Sequence, residues 1–312
     1  MPSFRLKPTL PFRLDLTSWV LRRRPNNRWD FWDGETYGRV LVIEGKPVEV
    51  SARQRRDELE VTLSGVRTSP RIRQQINTAL KRLLGLEVDL SGFYKFARSD
   101  KWLKPLAERF RGFKPPRFLS LFEALVNGVT CQQLSLTVGI ILLNRLVEHH
   151  GRELHGRHAF PEPQDLKSLR PEELALLGYS HNKARALIDL SQAIVERRFD
   201  PAALEKASNQ DALAKLQQFR GIGRWTAEYA LLRGLGRTNI FPGDDVGARN
   251  NLERWLNLRN PLTYDSSQQV LKKWAPYGGL IYFHLLLDRL EHLGYVNQPA
   301  TNHSATVSMM AL

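Results

Sequence analysis

The chain has 312 residues, 42% of them hydrophobic, a length and apolar content that allow two or three packed units and exclude a disordered, tail-like protein. Its formal net charge of +14 points to an anionic partner, most simply nucleic acid, with an anionic membrane surface second. A single cysteine, Cys131, excludes an intrachain disulfide and a four-cysteine zinc or iron-sulfur site, so any chemistry uses oxygen and nitrogen groups.

The N-terminal stretch MPSFRLKPTLPFRLDL lacks the continuous apolar core of a secretory signal, and no run of about 18 apolar residues could span a bilayer. A cytoplasmic location is expected, at the nucleoid in a bacterium. Strands are expected over residues 37–64, where Val40 and Val42, then Leu59, Val61 and Leu63, alternate with polar neighbours, and Gly45-Lys46-Pro47 reads as a turn. From Ser69 to Leu84 the apolar Ile72, Ile76, Leu80, Leu83 and Leu84 recur at helical spacing, giving a helix to cover that sheet. The fold class expected for residues 1–112 is therefore α+β, an antiparallel sheet plus helices, running into the basic stretch RFRGFKPPR at 109–117. The basic groups Arg22-Arg23-Arg24, Arg53, Arg55-Arg56, Arg71 and Arg73 read first as solvated surface and second as an extension of a DNA footprint.

Helices follow at 122–149, 171–177 and 183–197, with no strand beyond residue 120, so residues 113–296 form an all-α unit. Residues 297–312 are polar and unpatterned, a disordered tail by expectation. His149, His150, His155 and His158 fall within ten residues of one another, yet no acidic or cysteine partner is consistently spaced with them, and helix-end and loop positions explain them.

The most informative segment is LQQFRGIGRWTAEYALLRGLG, 216–236, in which two glycines flank one apolar residue between two helical patterns. Glycine at such a hairpin permits backbone angles closed to other residues and lets amides approach a phosphate. A helix from about Arg224 would aim its N-terminal amides at the same anion, with Ile222 packed inward. An ordinary tight turn is the competing reading, opposed by Leu216, Phe219, Thr226-Ala227 and the net positive charge. Further on, Asp244-Asp245 follows a strand-like Asn239-Ile240-Phe241 and the breaker Pro242-Gly243, at the start of a helix over about 247–256. Such a pair can cap the helix; it can also supply the carboxylate that cleavage of an N-glycosidic bond needs beside the developing sugar cation.

GIGRWTAEYALLRGLG followed by FPGDD at 241–245 resembles the helix-hairpin-helix DNA glycosylase superfamily, specifically its alkylation-repair branch, the inducible 3-methyladenine DNA glycosylases. The resemblance extends to FEALVNGVTCQQLS (122–135), LGYSHNKARALIDL (177–190) and APYGGLIYFHLLL (275–287), and the N-terminal unit fits that branch's extra domain more loosely. It implies an active site in the cleft between helical subdomains, and a grip on the DNA backbone by Gly221, Ile222, Gly223, Arg224 and Thr226. It implies also an alkali metal ion, sodium or potassium, on the main-chain carbonyls of Gln217, Phe219 and Ile222, with no other cofactor and no iron-sulfur cluster. Asp245, twenty residues after Trp225, takes the catalytic position, leaving Asp244 to cap the helix or position its neighbour. Where glycosylases that also cut the strand carry a lysine as Schiff-base nucleophile, this chain has Trp225, which implies a monofunctional enzyme.

Trp225 and Tyr229 lie one helical turn apart, and the resemblance adds Tyr277. Together they imply an aromatic pocket for a flipped base, suited to a cationic alkylated purine, although aromatics at that spacing also serve as core. The turn at 131–135 implies a wedge that fills the vacated stack, Gln133 or alternatively Leu134, against plain helix-start residues capped by Ser135. The implied function is excision of alkylated or otherwise damaged purines from double-stranded DNA, leaving an abasic site in base excision repair, by a monomer acting away from membranes. The alternatives are a non-catalytic hairpin DNA-binding module and a glycosylase for other base lesions.

Overall fold

The computed structural model describes residues 2–296; the tail expected at 297–312 lies outside them. The N-terminal part is built on an antiparallel sheet of β1 (Ser3–Leu6), β2 (Phe31–Trp32), β3 (Thr36–Ile43), β4 (Lys46–Arg55) and β5 (Glu58–Ser64), in the order β1-β5-β4-β3-β2. Successive strand residues face opposite sides, so Val48, Val50 and Ala52 of β4 and Leu59, Val61 and Leu63 of β5 share one buried face. Helices α1 (Leu14–Arg22) and α2 (Pro70–Leu84) cover that face, α2 through Ile76, Leu80, Leu83 and Leu84. Each fully buried aliphatic side chain contributes roughly 1.5–3 kcal/mol. Helix α2 starts where the Ser69 hydroxyl accepts the Ile72 amide, with Pro70 in the first turn, and stops at Gly85, φ 60°.

Two expectations about strands are corrected. The β3–β4 turn is Glu44-Gly45, both at positive φ, while Lys46 and Pro47 already pair with Ile43 and Val42; this two-residue turn follows the twist of the strands. Strands also exist beyond residue 120, as the ribbon of β6 (Glu153–Leu154) and β7 (Arg157–His158), each too short for any alternation. The strand-like segment 239–241 is irregular chain.

Helices α3 (Ser91–Ala97), α4 (Leu103–Arg109), α5 (Leu121–Cys131) and α6 (Leu136–His150) precede the ribbon. After it come α7 (Pro163–Leu166), α8 (Pro171–Leu176), α9 (His181–Val195), α10 (Asn209–Leu216), α11 (Arg224–Arg233), α12 (Val246–Leu256), α13 (Tyr264–Leu271) and α14 (Gly278–His292). They pack as two cores. One joins α5, α6, α9 and α10; the other joins α1, α3, α4, α12 and α14. Helix α11 serves both, giving Ala227, Tyr229, Ala230 and Leu231 to the first and Leu232 to the second. It is buried at every position from Thr226 to Arg233, as a helix enclosed on all sides must be. Among the described residues no helix is long and apolar enough to cross a membrane, and no group of three or more His, Cys, Asp or Glu side chains is placed to hold a metal ion.

Candidate active site

The hairpin joins α10 to α11, and its two glycines answer different requirements. Gly221 adopts φ 74°, and a Cβ there would lie 2.8 Å from that of Ala186. Gly223 has φ −86° and ψ −179°, ordinary extended angles, and a Cβ there would meet nothing within 4 Å. Only Gly221 is demanded by the backbone; Gly223 keeps clear the space before the first amides of α11, which no side chain caps. Ile222 points inward, 5% exposed.

Thr226 corrects its expected place on the DNA grip. It is fully buried, and its hydroxyl accepts from Gln132 Nε2 at 2.8 Å, while the same nitrogen donates to the Gly221 carbonyl at 2.7 Å. The side chain holds the hairpin against the end of α5. The carbonyls of Gln217, Phe219 and Ile222 are neutral oxygens from one short segment, a donor set suited to a hard monovalent cation. That of Phe219 also accepts the Ile222 amide at 3.1 Å.

The helix cap expected of Asp244 belongs to Asp245. Asp245 itself begins α12, Oδ1 accepting the Ala248 amide at 2.9 Å, whereas Asp244 forms a two-pronged pair with Arg224 at 2.7 and 3.1 Å. Arg224 in turn lies 3.6 Å over the Tyr264 ring. The loop before Asp245 is fixed from both sides: Glu228 of α11 accepts the Gly243 amide at 3.2 Å and the Tyr264 hydroxyl at 2.7 Å, and Arg249 of α12 donates to the Gly243 carbonyl at 2.7 Å. Burial pushes the Asp245 carboxyl above its ordinary range, opposed by the Ala248 and Gly247 amides, the Trp225 ring N–H and the Tyr282 hydroxyl. The Tyr282 bond is long, at 3.5 Å, and the Trp225 N–H faces the carboxylate outside good hydrogen-bond geometry. The carboxylate is thus anchored through one oxygen and lightly held at the other.

Trp225 stacks on Tyr229, ring centres 5.6 Å apart and planes 28° apart. Only Trp225 is partly open; Tyr229 is 4% exposed, so it backs the tryptophan instead of offering a face of its own. Tyr277 packs on Phe93 and Phe96 of α3 at 5.4 and 5.2 Å. The tyrosine of α14 that reaches Asp245 is Tyr282, which lies five residues further along and was not singled out from the sequence. Behind Tyr229 sits another unexpected residue. Arg22 and Arg23, read as surface charge, are buried, and Arg23 donates to the Tyr229 hydroxyl at 2.9 Å.

The turn at 131–135 is held at its base. Lys183 Nζ donates to the carbonyls of Thr130 and Gln132 at 2.9 and 2.8 Å, and Ser135 caps α6 by accepting the Val138 amide. Gln133, at φ 54°, and Leu134, 38% exposed, project from it. A cavity of about 370 Å³ lies elsewhere, between Leu10-Pro11 and the α3 residues Ser91, Tyr94 and Lys95, and contains none of these groups.

Residues 126–276 match the HhH-GPD superfamily of base excision DNA repair proteins. The chain is 30% identical over 217 residues to the DNA-3-methyladenine glycosylase of Bacillus subtilis, covering 68% of this chain and 72% of that one. A second relative from the same organism is 33% identical over 170 residues, 54% of this chain and 58% of its own, so the chain spans little more than half of it. Among solved structures, the 3-methyladenine DNA glycosylase of Archaeoglobus fulgidus superposes with a TM-score of 0.78 at 25% identity, over 93% of this chain and 99% of that one.

Proposed function

Because the chain belongs to the HhH-GPD superfamily of base excision DNA repair proteins, we propose that it is a monofunctional DNA glycosylase for alkylated or otherwise damaged purines. It turns the damaged nucleotide out of double-stranded DNA, hydrolyses the N-glycosidic bond with Asp245, and leaves an abasic site.

The observation that carries this reading is the carboxylate of Asp245, anchored at the start of α12 and facing the Trp225 ring. A flipped base stacks on the open face of Trp225. The sugar then lies by Asp245, whose negative charge stabilises the cation that develops as the base departs, and water takes the anomeric carbon. Position 225 carries an indole with no amine, so no Schiff base forms there. The hairpin holds a phosphate on the α11 amides in front of Gly223. An alkali ion on the carbonyls of Gln217, Phe219 and Ile222 would add positive charge at that phosphate. Gln133 or Leu134 enters the vacated stack.

Release of 3-methyladenine, 7-methylguanine, hypoxanthine and ethenoadenine from defined duplexes, with wild type beside Asp245→Asn, tests the reading. Loss of release with DNA binding kept supports it; undiminished release by the variant, or an enzyme-dependent strand break trapped by borohydride, overturns it.

A further inference from the structure

Arg23 is a buried charge that this chemistry leaves unused. It ends α1 in the left-handed region, φ 62°, its amide on the Trp19 carbonyl, and its side chain, with the residue 4% exposed, runs inward behind Tyr229. There Nη1 donates to the Tyr229 hydroxyl at 2.9 Å and Nη2 to Asn127 Oδ1 at 2.6 Å, with the guanidinium 5.4 Å from the Phe118 ring centre. Its Nε meets no hydrogen-bond partner among the described residues.

No carboxylate touches this cation in any hydrogen bond or ion pair among the described residues. Asp30, from the segment after α1, is engaged by Arg39 at 3.1 Å and by Tyr37 at 2.6 Å. A second buried guanidinium, that of Arg233, lies over the same Phe118 ring at 4.7 Å. A neutral side chain would fill this position and reach Tyr229 at a far smaller desolvation cost. Filling and hydrogen bonding therefore do not account for a charge here.

We propose that Arg23 is a specificity-determining residue: its charge, set behind the Trp225–Tyr229 stack, raises the second-order rate of excision of uncharged damaged bases relative to cationic ones. This rests on the glycosylase reading and deepens it. When the C1′–N9 bond of an uncharged purine nucleotide breaks, the electron pair passes to the base, which becomes anionic until it takes a proton; water gives its hydroxide to C1′ and its remaining proton to the base. Positive charge behind the base stabilises that departure. A base alkylated to a cation starts positive and leaves neutral, so the same charge opposes its binding by as much as it speeds its departure, and from free enzyme and free duplex to the transition state the two effects cancel.

The hydrogen bond of 2.9 Å and the ring stack of 5.6 Å, with one further stacking layer for the base, put the guanidinium roughly 10 Å from it. At the effective dielectric of a protein interior, a unit charge at that range changes the rate about tenfold. Asp245 from α12 and Arg233 from α11 face the same stack, and both stay constant in the test.

Single-turnover rates at enzyme well below saturation, which give the second-order constant for excision, on duplexes of one sequence carrying hypoxanthine or 7-methylguanine, read the effect. Arg23→Gln is expected to slow hypoxanthine release about tenfold and to leave 7-methylguanine release within about twofold, while Arg23→Lys, which keeps the charge, holds the wild-type ratio. An equal fall on both substrates in Arg23→Gln overturns the proposal, as does Arg23→Lys behaving like Arg23→Gln, or a wild type that releases only the cationic base. Both substrates are scored on one preparation, so a lowered folded fraction scales both rates alike and leaves their ratio unchanged, and Arg23→Met replaces the glutamine variant if that chain does not fold. Failure of the glycosylase reading itself has its own signature, no product from either duplex with the wild type, and it overturns this proposal as well.

Discussion

Asp245 Oδ1 accepts the amide of Ala248 at 2.9 Å, so the carboxylate that faces Trp225 also starts α12. Asparagine caps a helix about as well as aspartate but carries no charge. Asp245→Asn is therefore expected to fold normally and to lose base release by about 10²–10³-fold in single-turnover assays. Its carboxyl is raised by burial in the folded chain, so the ionised form opposes folding at every pH above the folded value, and that penalty vanishes below the ordinary aspartate pKa. The variant's thermal midpoint at pH 7 should equal or exceed that of the wild type, with any advantage fading as the pH falls toward about 4. A variant clearly less stable at pH 7 would contradict this account of the cap.

On the proposed reading, the same raised carboxyl sets the acid limb of activity. Release requires the ionised form, so the rate should fall with decreasing pH at a value above the about 3.9 of a free aspartate. Tyr282→Phe removes a donor that favours ionisation, which should move the limb to higher pH while the neutral-pH plateau changes little. A limb that stays put or moves down in that variant rules out the contact as described.

The hairpin glycines should separate folding from binding. Gly221→Ala forces a side chain into the left-handed region against Ala186 and is expected to cost about 2 kcal/mol or more of stability. Gly223→Ala meets no atom of the protein, so its melting temperature should match the wild type while its affinity for duplex DNA drops about tenfold, as a methyl group intrudes where the phosphate sits. Equal affinity in Gly223→Ala would remove the phosphate from that place.

Glu228 ties α11 to the loop that carries Asp245. Truncating it leaves the Gly243 amide and the Tyr264 hydroxyl without their shared acceptor, a loss of about 1–3 kcal/mol. Glu228→Ala should lower the maximal release rate, with DNA affinity unchanged within about twofold because the hairpin amides are untouched. A rise in the dissociation constant with an unaltered maximal rate would place Glu228 at the DNA grip.

What sequence reading can reach here follows from what leaves a local mark. The period of β4 and β5, the helical spacing of α2, and the frame running from Gly221-Ile222-Gly223 through Trp225 to Asp245 are all written in neighbouring residues. Burial of a charge is not. Arg22-Arg23-Arg24 looks like any solvated basic run, and only the tertiary packing of α1 against Tyr229 and Asn127 turns the middle one inward. Tyr277 and Tyr282 stand five residues apart on one stretch, and which of them meets Asp245 depends on how α14 is rotated against α12, a packing outcome. The cap of α12 fell to the second aspartate because Asp244 has a better partner twenty residues earlier, Arg224. Strands of two residues, β2, β6 and β7, are below any periodicity.

Gln132 binds the turn bearing Gln133 and Leu134 to the hairpin through the Gly221 carbonyl and Thr226. On the proposed reading, these two bonds tie the part that grips the strand to the part that enters the stack. On that reading, a duplex that kinks easily at the inspected step opens more readily than a stiff, well-paired one. Lesions that loosen pairing would be sampled first, before any feature of the base itself is read, and the search would then sort steps by how readily they give way.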